Sequence, residues 1–368
     1  MNSFKITNFG PINKVDIQLG DLTILLGPQA SGKTLFLQML KLLIDKDHIV
    51  QTLARYNYVT NKQPDQILNY YFGDKLSSMW KEDTVIEADG KSYKKSYLLN
   101  QKVGHAVEEV FYVPAQRILS ISDGRPKNFM EYDISSPYVL RNFSETLRLF
   151  FQNEIGDDQT VFPLNNRLKG GLKKSFNESI FHGGQVVIDE SAGQKKMRMQ
   201  VGGSSLPFMT WSAGQKEFMP LLMATYCLTG PVIKTINRKQ YKYVIIEEPE
   251  MGLHPKAIQA VIVQMLEFAW AFKMIQRLPE NVRVEALCEL FGVSPNTNVT
   301  KIFQGVENKD LKTYYFSHKT KGVRSSDISS LDVMSGNVDE SEWGGLSQFA
   351  TKASDVVSKY MSEYLSEE

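Results

Sequence analysis

The first 26 residues show two patterns of apolar positions. Apolar and polar residues alternate first, and the continuous apolar run Leu22–Leu26 follows. Alternation is typical of a half-buried strand, whereas a continuous apolar run indicates a strand that is buried on both faces. The sequence therefore predicts two amphipathic strands and then one buried strand. The alternating apolar positions are Phe4, Ile6, Phe9, Val15, Ile17 and Leu19.

The pattern then changes to helical spacing. Apolar residues recur at this spacing from Thr34 to about Asp45, which predicts a helix directly after the buried strand. Residues 49–104 mix short strand-like pieces with turns such as Asp89-Gly90, and we interpret them as a small antiparallel lobe. Its strands are expected at Thr84–Ala88 and Tyr93–Leu98.

Strands and helices alternate through the rest of the chain, which indicates an α/β fold. The further strands are expected at Glu109–Val113, Gln185–Asp189, Lys195–Val201 and Tyr243–Ile246. The further helices are expected at Pro137–Gln152, at Leu164–Ile180, from Ser212, from near Pro255 and at Gln348–Leu365.

Composition excludes several classes of protein. The 368 residues include 42 Lys and Arg against 41 Asp and Glu, so the net charge of +1 gives no overall attraction to nucleic acid or to a membrane surface. No apolar run is long enough to span a bilayer, and the N-terminus does not look like a secretion signal. The two cysteines, Cys227 and Cys288, are too few for a disulfide framework. We therefore expect a cytoplasmic protein that has no membrane partner.

A glycine-rich loop joins the predicted buried strand to the first predicted helix. The segment GPQASGKT matches the phosphate-binding pattern GxxxxGK[ST] in the strand–loop–helix context that this pattern requires. Its backbone amides can face a polyphosphate, Lys33 can reach the β and γ oxygens, and Thr34 can offer a hydroxyl to Mg2+. The candidate nucleotide-binding residues are Gly27, Pro28, Gln29, Ala30, Ser31, Gly32, Lys33, Thr34 and Leu35.

Two carboxylates follow a second apolar strand, in the segment YVIIEEPEMGLHP. A parallel sheet delivers side chains to a ligand crevice at this end of its strands. Because successive strand residues point to opposite faces, Glu247 and Glu248 should point differently. Glu247 is then a candidate for the metal shell, and Glu248 is the candidate catalytic residue that polarises water. Carboxylates that merely decorate a strand end are the alternative.

The segment WSAGQKE has two interpretations. Ser212 followed three residues later by Gln215 is an ordinary helix capping box. The same helix start can also form a second phosphate-binding surface, because its amides and dipole attract anions. This surface comprises Ser212, Ala213, Gly214 and Gln215.

The three motifs, in this order and with a long insertion before WSAGQKE, resemble the ABC-type, AAA-like ATPases of the RecF, SMC and OLD group. The opening FKITNFGPINKVDIQLGDLTILLGPQASGKT is also typical of that group, although Gln29 stands where Asn is common. FYVPAQR is similar to the strand and loop that precede the group's helical insertion. The resemblance makes Gln116 a candidate ligand of nucleotide and metal, Arg117 a candidate nucleotide-site or insertion-contact residue, and His254 a candidate contact to an opposite subunit. An exposed loop pair is the alternative for Gln116 and Arg117.

The resemblance implies a P-loop NTPase fold with an ABC-ATPase-like head, an antiparallel β lobe and an α/β insertion. It also implies ATP and Mg2+ as cofactors, with Lys33 and Glu248 as catalytic residues and with Thr34, Glu247 and Gln116 at the metal. The expected domains are an N-terminal ATPase lobe at 1–123, an insertion at 124–203, a second ATPase lobe at 204–275 and a C-terminal partner-contact region at 276–368.

The sequence also departs from the pattern of the group. WSAGQ and EEPE differ from the motifs of membrane transporters, and Glu247 replaces the usual Asp. The resemblance implies a strand with a switch histidine near Glu267–Phe268, but the sequence passes there from one apolar helix pattern to another. His318 reads as a surface residue rather than as that switch. Past residue 275 we find no acidic pattern of a nuclease, and the basic residues near Lys169 and Lys195 read as a solvated face.

Three functions remain open from the sequence. The first is an ATP-dependent switch that dimerises head to tail around ATP, as a homodimer or higher homo-oligomer, and controls a separate effector protein in phage defence. The second is a nucleic-acid clamp in DNA repair or maintenance, with DNA as its partner. The third is a scaffold that binds ATP and barely hydrolyses it.

Overall fold

The computed structural model describes residues 1–100, 104–155, 160–164, 173, 176–190, 193–228, 236, 240–249, 251–252, 285 and 310–329. The described elements form a mixed α/β protein with a P-loop, as predicted. The strands are β1 Ser3–Phe9, β2 Ile12–Gln18, β3 Leu22–Leu26, β4 Trp80–Ala88, β5 Lys91–Tyr93, β6 Val110–Val113, β7 Ile121–Ser122, β8 Arg125–Pro126, β9 Thr160–Phe162, β10 Gln185–Asp189, β11 Lys196–Val201, β12 Ser204–Pro207, β13 Tyr243–Ile246, β14 Leu311–Lys319 and β15 Gly322–Asp327. The helices are α1 Lys33–Arg55, α2 Pro64–Phe72, α3 Tyr138–Asn153 and α4 Ala213–Leu228.

The chain forms two compact units. The first unit contains Met1–Phe36, Ser78–Tyr97 and the strands β14 and β15. The second unit contains Leu37–Ser77 and the described part of Leu98–Leu278. The division into four domains that the sequence suggests stays a prediction.

The first unit is built on a mixed seven-stranded sheet with the order β3-β14-β15-β2-β1-β4-β5. Strand β1 lies antiparallel to both β2 and β4, and the hairpin of β4 and β5 turns at Asp89-Gly90 as predicted. Strand β14 runs parallel to β3, with Tyr315 opposite Leu26. The chain therefore completes the sheet beside β3 with a segment that lies far away in the sequence.

Aromatic packing holds the first turn of α1 against this sheet. The ring of Phe36 lies 5.0 Å from that of Phe4 and 5.8 Å from that of Phe316, measured between centroids. All three side chains are buried. Aromatic pairs at these separations add to the free energy gained by burial, so the helix that follows the glycine-rich loop starts from a fixed position.

The second unit combines a parallel strand pair, an antiparallel sheet and two packed helices. Strand β6 runs parallel to β13, with Val113 opposite Ile246. The antiparallel sheet has the order β12-β11-β10-β9. Helices α3 and α4 pack on each other, and one hydrophobic core joins them to the strands. The strands expected at Gln185–Asp189 and Tyr243–Ile246 have the predicted bounds.

The predicted end of the first helix near Asp45 is wrong. Helix α1 continues to Arg55, and Asp45 is a non-helical residue inside it, with φ −102° and ψ 16°. Its carboxylate accepts hydrogen bonds from the backbone N–H groups of Glu109 at 2.7 Å and Val110 at 3.1 Å. The kink therefore lets a buried aspartate bind the start of β6, while the apolar face of the helix continues beyond it.

Two further predictions for residues 49–104 are corrected. Helix α2 lies in the segment that we interpreted as an antiparallel lobe, and among the described residues of that segment β4 and β5 are the strands that pair antiparallel. The strand expected at Tyr93–Leu98 is wrong as well, because β5 ends at Tyr93 and a 3-10 helix spans Lys95–Leu99. This turn allows Leu98 to be fully buried. Short apolar stretches do not distinguish such a turn from a strand.

A buried cluster of charged groups lies between α1 and the residues before β6. The ammonium of Lys41 lies 2.9 Å from Asp45 and 2.7 Å from Glu108, and all three side chains are buried. Glu108 also accepts hydrogen bonds from Asn142 at 2.8 Å and from Tyr241 at 3.3 Å. Burial lowers the pKa of Lys41, but the charges of Glu108 and Asp45 outweigh it and raise that pKa above its usual value. The lysine therefore stays charged inside the protein.

Several smaller predictions can be compared with the described residues. Basic residues of the insertion are ion-paired at the surface, which agrees with a solvated face. His318 is exposed on β14, as expected, and the thiol of Cys227 is buried. Among the described helices none is long and apolar enough to cross a membrane. The basic residues are Lys195, Lys196 and Arg198, and their partners are Glu190, Asp123 and Asp189.

Candidate functional site

The glycine-rich loop lies between β3 and α1, and its backbone has several positive φ angles. These are 145° at Gly27, 59° at Ala30 and 77° at Gly32. A Cβ atom at Gly27 would lie 2.5 Å from the backbone oxygen of Phe316 on β14. Only glycine combines that φ angle with so close an approach. Glycine at position 27 therefore allows the loop to leave β3 close to the backbone of β14.

The side chain of Lys33 forms hydrogen bonds with its own loop. Its ammonium donates hydrogen bonds to the backbone oxygens of Gly27 at 2.7 Å and Pro28 at 2.9 Å, and to the hydroxyl of buried Ser31 at 3.2 Å. The backbone thus curls around a positive charge. Thr34, in the first turn of α1, is exposed.

This loop fits a nucleoside triphosphate and its metal ion. The first amides of a helix have no intrahelical partner and attract anions, and the Lys33 ammonium lies within the same curl. The exposed hydroxyl of Thr34 is an oxygen ligand of the type that Mg2+ prefers. The residues predicted to bind phosphate are therefore arranged around one loop in the first unit.

The carboxyl ends of β6 and β13 form a second cluster, which belongs to the second unit. The amide of Ala115, just after β6, donates to Oε2 of Glu247 at 3.2 Å. The amide of Glu247 donates to the backbone oxygen of Val113 at 2.9 Å. Parallel pairing brings the two strand ends to one edge, as the sequence suggested.

The two carboxylates differ in burial and in backbone conformation. Glu247 is 5% exposed, whereas Glu248 is exposed. The φ angle of Glu248 is +40°, a left-handed conformation that is uncommon for any residue except glycine. Strained backbone of this kind is concentrated at functional sites, where the surrounding structure holds it in place. Glu248 therefore combines an accessible carboxylate with a held backbone.

The pair Gln116-Arg117 is divided between surface and interior. Gln116 is exposed, as a ligand of nucleotide or metal would need to be. Arg117 is fully buried, and its guanidinium donates to the backbone oxygens of Glu247 at 3.1 Å and Glu248 at 3.0 Å. The alternative of an exposed loop residue is therefore wrong for Arg117, whose guanidinium holds the loop after β13.

A capping box begins α4. The amide of Ser212 donates to the side-chain oxygen of Gln215 at 3.1 Å, and the amide of Gln215 donates to the Ser212 hydroxyl oxygen at 3.3 Å. The side-chain nitrogen of Gln215 donates to the backbone oxygen of Ile180 at 3.0 Å. The hydroxyl of Ser212 is exposed, and an oxygen that accepts this bond can still donate its own proton. The capping box is therefore compatible with anion binding by Ser212.

The loop after β13 packs against the first turns of α4. A Cβ atom at Gly252 would lie 2.4 Å from Cγ of Glu217, and a Cβ atom at Gly214 would lie 3.1 Å from the backbone oxygen of Gly252. Burial raises the pKa of Glu217, and the charge of Arg117 partly opposes this. The WSAGQKE and EEPEMG segments are thus in direct contact. Sequence reasoning missed this role of Glu217 and Gly252.

Some predicted residues lie outside the described part of the chain. They are His254, the position of the expected switch segment near Glu267–Phe268, the helices near Pro255 and Gln348–Leu365, and Cys288. Among the residues that the structure does describe, no three His, Cys, Asp or Glu side chains form a metal-binding group.

The loop, its strand and its helix define a P-loop nucleotide-binding protein. Residues 1–121 of the chain match the family model of the AAA ATPase domain, which spans both the loop and Gln116. This match agrees with the predicted class, an AAA-like ATPase with a P-loop NTPase fold. The N-terminal part of the chain, up to residue 121, is thus similar to an ATPase domain.

Other comparisons add little to this class. No curated protein matches the chain significantly. Among solved structures, the chain is similar to the Smc head domain with an extended coiled coil, bound to the C-terminal domain of ScpA and derived from Pyrococcus furiosus. The identity is 13%, the TM-score is 0.30, and the match covers 89% of this chain and 95% of that chain. A similarity at this TM-score carries no argument.

Proposed function

We propose that this chain is an ATP-hydrolysing switch subunit that dimerises head to tail around ATP and controls a separate effector protein. The observation that carries the proposal is the P-loop, in which Lys33 already lies among the loop oxygens. The effector and the role in phage defence follow the resemblance of the motifs to the RecF, SMC and OLD group.

The residues divide the chemistry among them. The loop amides and Lys33 bind and orient the triphosphate, and the exposed carboxylate of Glu248 polarises the attacking water. Thr34, Gln116 and the buried Glu247 would hold Mg2+, which would supply positive charge against the developing charge on phosphate. Slow turnover is expected, because Glu247 replaces the usual Asp. The hydroxyl of Ser212 donates a hydrogen bond to the nucleotide that the other subunit holds.

A nucleic-acid clamp is less well supported than the effector switch. The three basic residues that the structure describes on β11 and just before it are already ion-paired with acidic neighbours. Each pair would have to break or share its lysine or arginine before a phosphate could bind. Strong DNA binding that weakens steeply with salt would favour the clamp over the effector switch.

Replacing Glu248 with Gln should stop hydrolysis and preserve ATP binding. The amide keeps the size of the side chain but removes the base, a change that costs about 100-fold or more in rate. ATP should then hold the dimer together, so sedimentation with ATP and Mg2+ should show a stable dimer. Glu190→Gln, an exposed glutamate on the same unit, is the matched control and should behave like wild type. A monomeric Glu248→Gln protein in saturating ATP would contradict the dimer.

Mixing two variants that are each impaired in hydrolysis tests whether Ser212 acts across subunits. Ser212→Ala should lower hydrolysis with little change in ATP affinity, whereas a purely capping role predicts a loss of only about 1 kcal/mol of stability. In each mixed dimer with a Lys33→Ala chain, one of the two composite sites carries neither change and should recover activity. Asn128→Ala removes a capping box elsewhere in the second unit and should keep full activity.

The mixing result has a definite interpretation. No recovery, in mixed dimers that are shown to form, would argue against a site shared by two subunits. Mixtures of wild type with each variant provide the necessary control. Strict coupling between the sites would also inactivate the mixed dimers in those mixtures.

A further inference from the structure

We propose that Arg117 is a positioning residue that holds the Glu248 loop in its left-handed backbone conformation, an inference that rests on the ATPase function proposed above. The guanidinium is fully buried and lies beneath this loop. Besides Glu247 and Glu248, Nη2 donates to the backbone oxygens of Pro249 at 3.3 Å and Met251 at 3.4 Å. One side chain thus binds four backbone oxygens of a single turn.

The acceptors explain why an arginine is needed. Four carbonyl groups that point toward one place repel each other unless donors lie between them. Arginine offers five N–H donors in a rigid planar fork and keeps its charge, whereas lysine offers one compact ammonium. Burial removes competition from water, so each of these bonds holds the turn more strongly than it would at the surface. The fork therefore fits a set of oxygens that lysine cannot reach together.

The backbone of Glu248 is the part of the turn that requires support. Its φ angle of +40° costs free energy for a residue with a side chain, and its oxygen accepts from both Arg117 and the amide of Met251, the latter at 3.0 Å. Without the guanidinium, the turn can relax to a more common conformation. The carboxylate of Glu248 would then move, although its chemistry would be unchanged.

Arg117 is itself fixed from the other side. Its Nε donates to the backbone oxygen of Glu217 in α4 at 3.3 Å. Its own backbone oxygen accepts from the hydroxyl of Ser120 at 2.6 Å, and the oxygen of Ser120 accepts from Ser144 on α3 at 3.0 Å. The arginine thus joins the loop to α3 and α4, and the same guanidinium connects Glu248 to the helix that begins with the capping box.

The test compares two buried arginines in the same unit. Arg117→Lys should lower kcat about 100-fold, the cost of a small misplacement of a reacting group, and leave ATP affinity within about threefold. Arg141→Lys is the matched control. Arg141 is equally buried, donates to the backbone oxygen of Tyr70 and lies on the rings of Tyr58 and Phe129. It should lose stability and keep its kcat.

A second readout needs no ATP. Hydrogen exchange of residues 247–252 in the nucleotide-free protein should be faster in Arg117→Lys and unchanged in Arg141→Lys, because only the first variant frees the turn. In a Glu248→Gln background, Arg117→Lys should cause no further loss of residual turnover, since both changes act through one carboxylate. An additive loss would overturn the inference.

The outcomes separate this inference from the proposed function. If wild type does not hydrolyse ATP, the proposed function fails, and the exchange of residues 247–252 alone decides whether Arg117 holds the turn. If wild type is active and Arg117→Lys keeps its kcat and its exchange, the inference is wrong and the ATPase stands. If Arg117→Lys does not fold, Gly252→Ala displaces the same loop against Glu217, and a wild-type kcat in that variant overturns the inference.

Discussion

Lys33→Ala should abolish ATP binding at the concentrations where wild type is saturated. The ammonium is the positive charge that the loop presents to the β and γ phosphates, and its present acceptors are oxygens of the same loop. Hydrogen bonds to charged groups contribute about 1.5–3 kcal/mol each, so the loss of two weakens affinity by at least about 100-fold. Calorimetric titration with ATP and Mg2+ measures this change directly.

The control for this variant removes a lysine elsewhere in the first unit. Lys14 is exposed on β2, so Lys14→Ala lowers the net charge equally without changing the loop. It should bind ATP as wild type does. Unchanged affinity in Lys33→Ala, with the fold intact by circular dichroism, would show that the loop does not bind the nucleotide.

Lys41→Met should be the most destabilising single change in the second unit. It leaves the carboxylates of Asp45 and Glu108 buried without the cation that lies 2.9 Å and 2.7 Å from them. Removing one partner of a buried ion pair costs about 3–5 kcal/mol, which is a large fraction of the stability of a domain. Urea unfolding monitored by circular dichroism provides the measurement.

Two variants accompany this measurement. Lys41→Met combined with Glu108→Gln should lose less stability than the single change, because one uncompensated charge is removed with the lysine. Lys5→Met breaks a partly exposed pair with Glu87 and should change little, since ion pairs that remain in contact with solvent contribute little. A Lys41→Met protein that unfolds at the urea concentration of wild type would mean that the cluster does not stabilise the fold.

The sequence predicted the local part of the fold well. The bounds of the strands Leu22–Leu26 and Tyr243–Ile246 and the position of the glycine-rich loop are as expected, because apolar spacing and glycine placement are local signals. The expected burial of Leu22–Leu26 on both faces is wrong, since no residue of β3 is buried. The end of α1 was missed, since Asp45 and the polar residues after it look like a helix terminus. The carboxylate binds the amides of Glu109 and Val110, which no local pattern can show.

The candidate site divides in the same way. Motif spacing was enough to suggest Lys33, Ser212 and Glu248, whose proposed roles depend on residue type. The position of Arg117 depends on the backbone oxygens that surround it, and carbonyl groups leave no trace in a sequence. Its place directly after a strand and a short loop was the available signal, and that signal left a nucleotide-site contact, an insertion contact and an exposed loop residue all open.

The pairing of β3 with β14 constrains the order in which the protein can form. Leu22 lies opposite Leu311, so the ribosome must add about 290 positions before the strand that leads into the phosphate loop gains this neighbour, which takes roughly 15–60 s at ordinary elongation rates. Until then, Leu22–Leu26 is an apolar segment with an open edge on the nascent chain. Completion of the sheet beside the phosphate loop is thus a late event of synthesis.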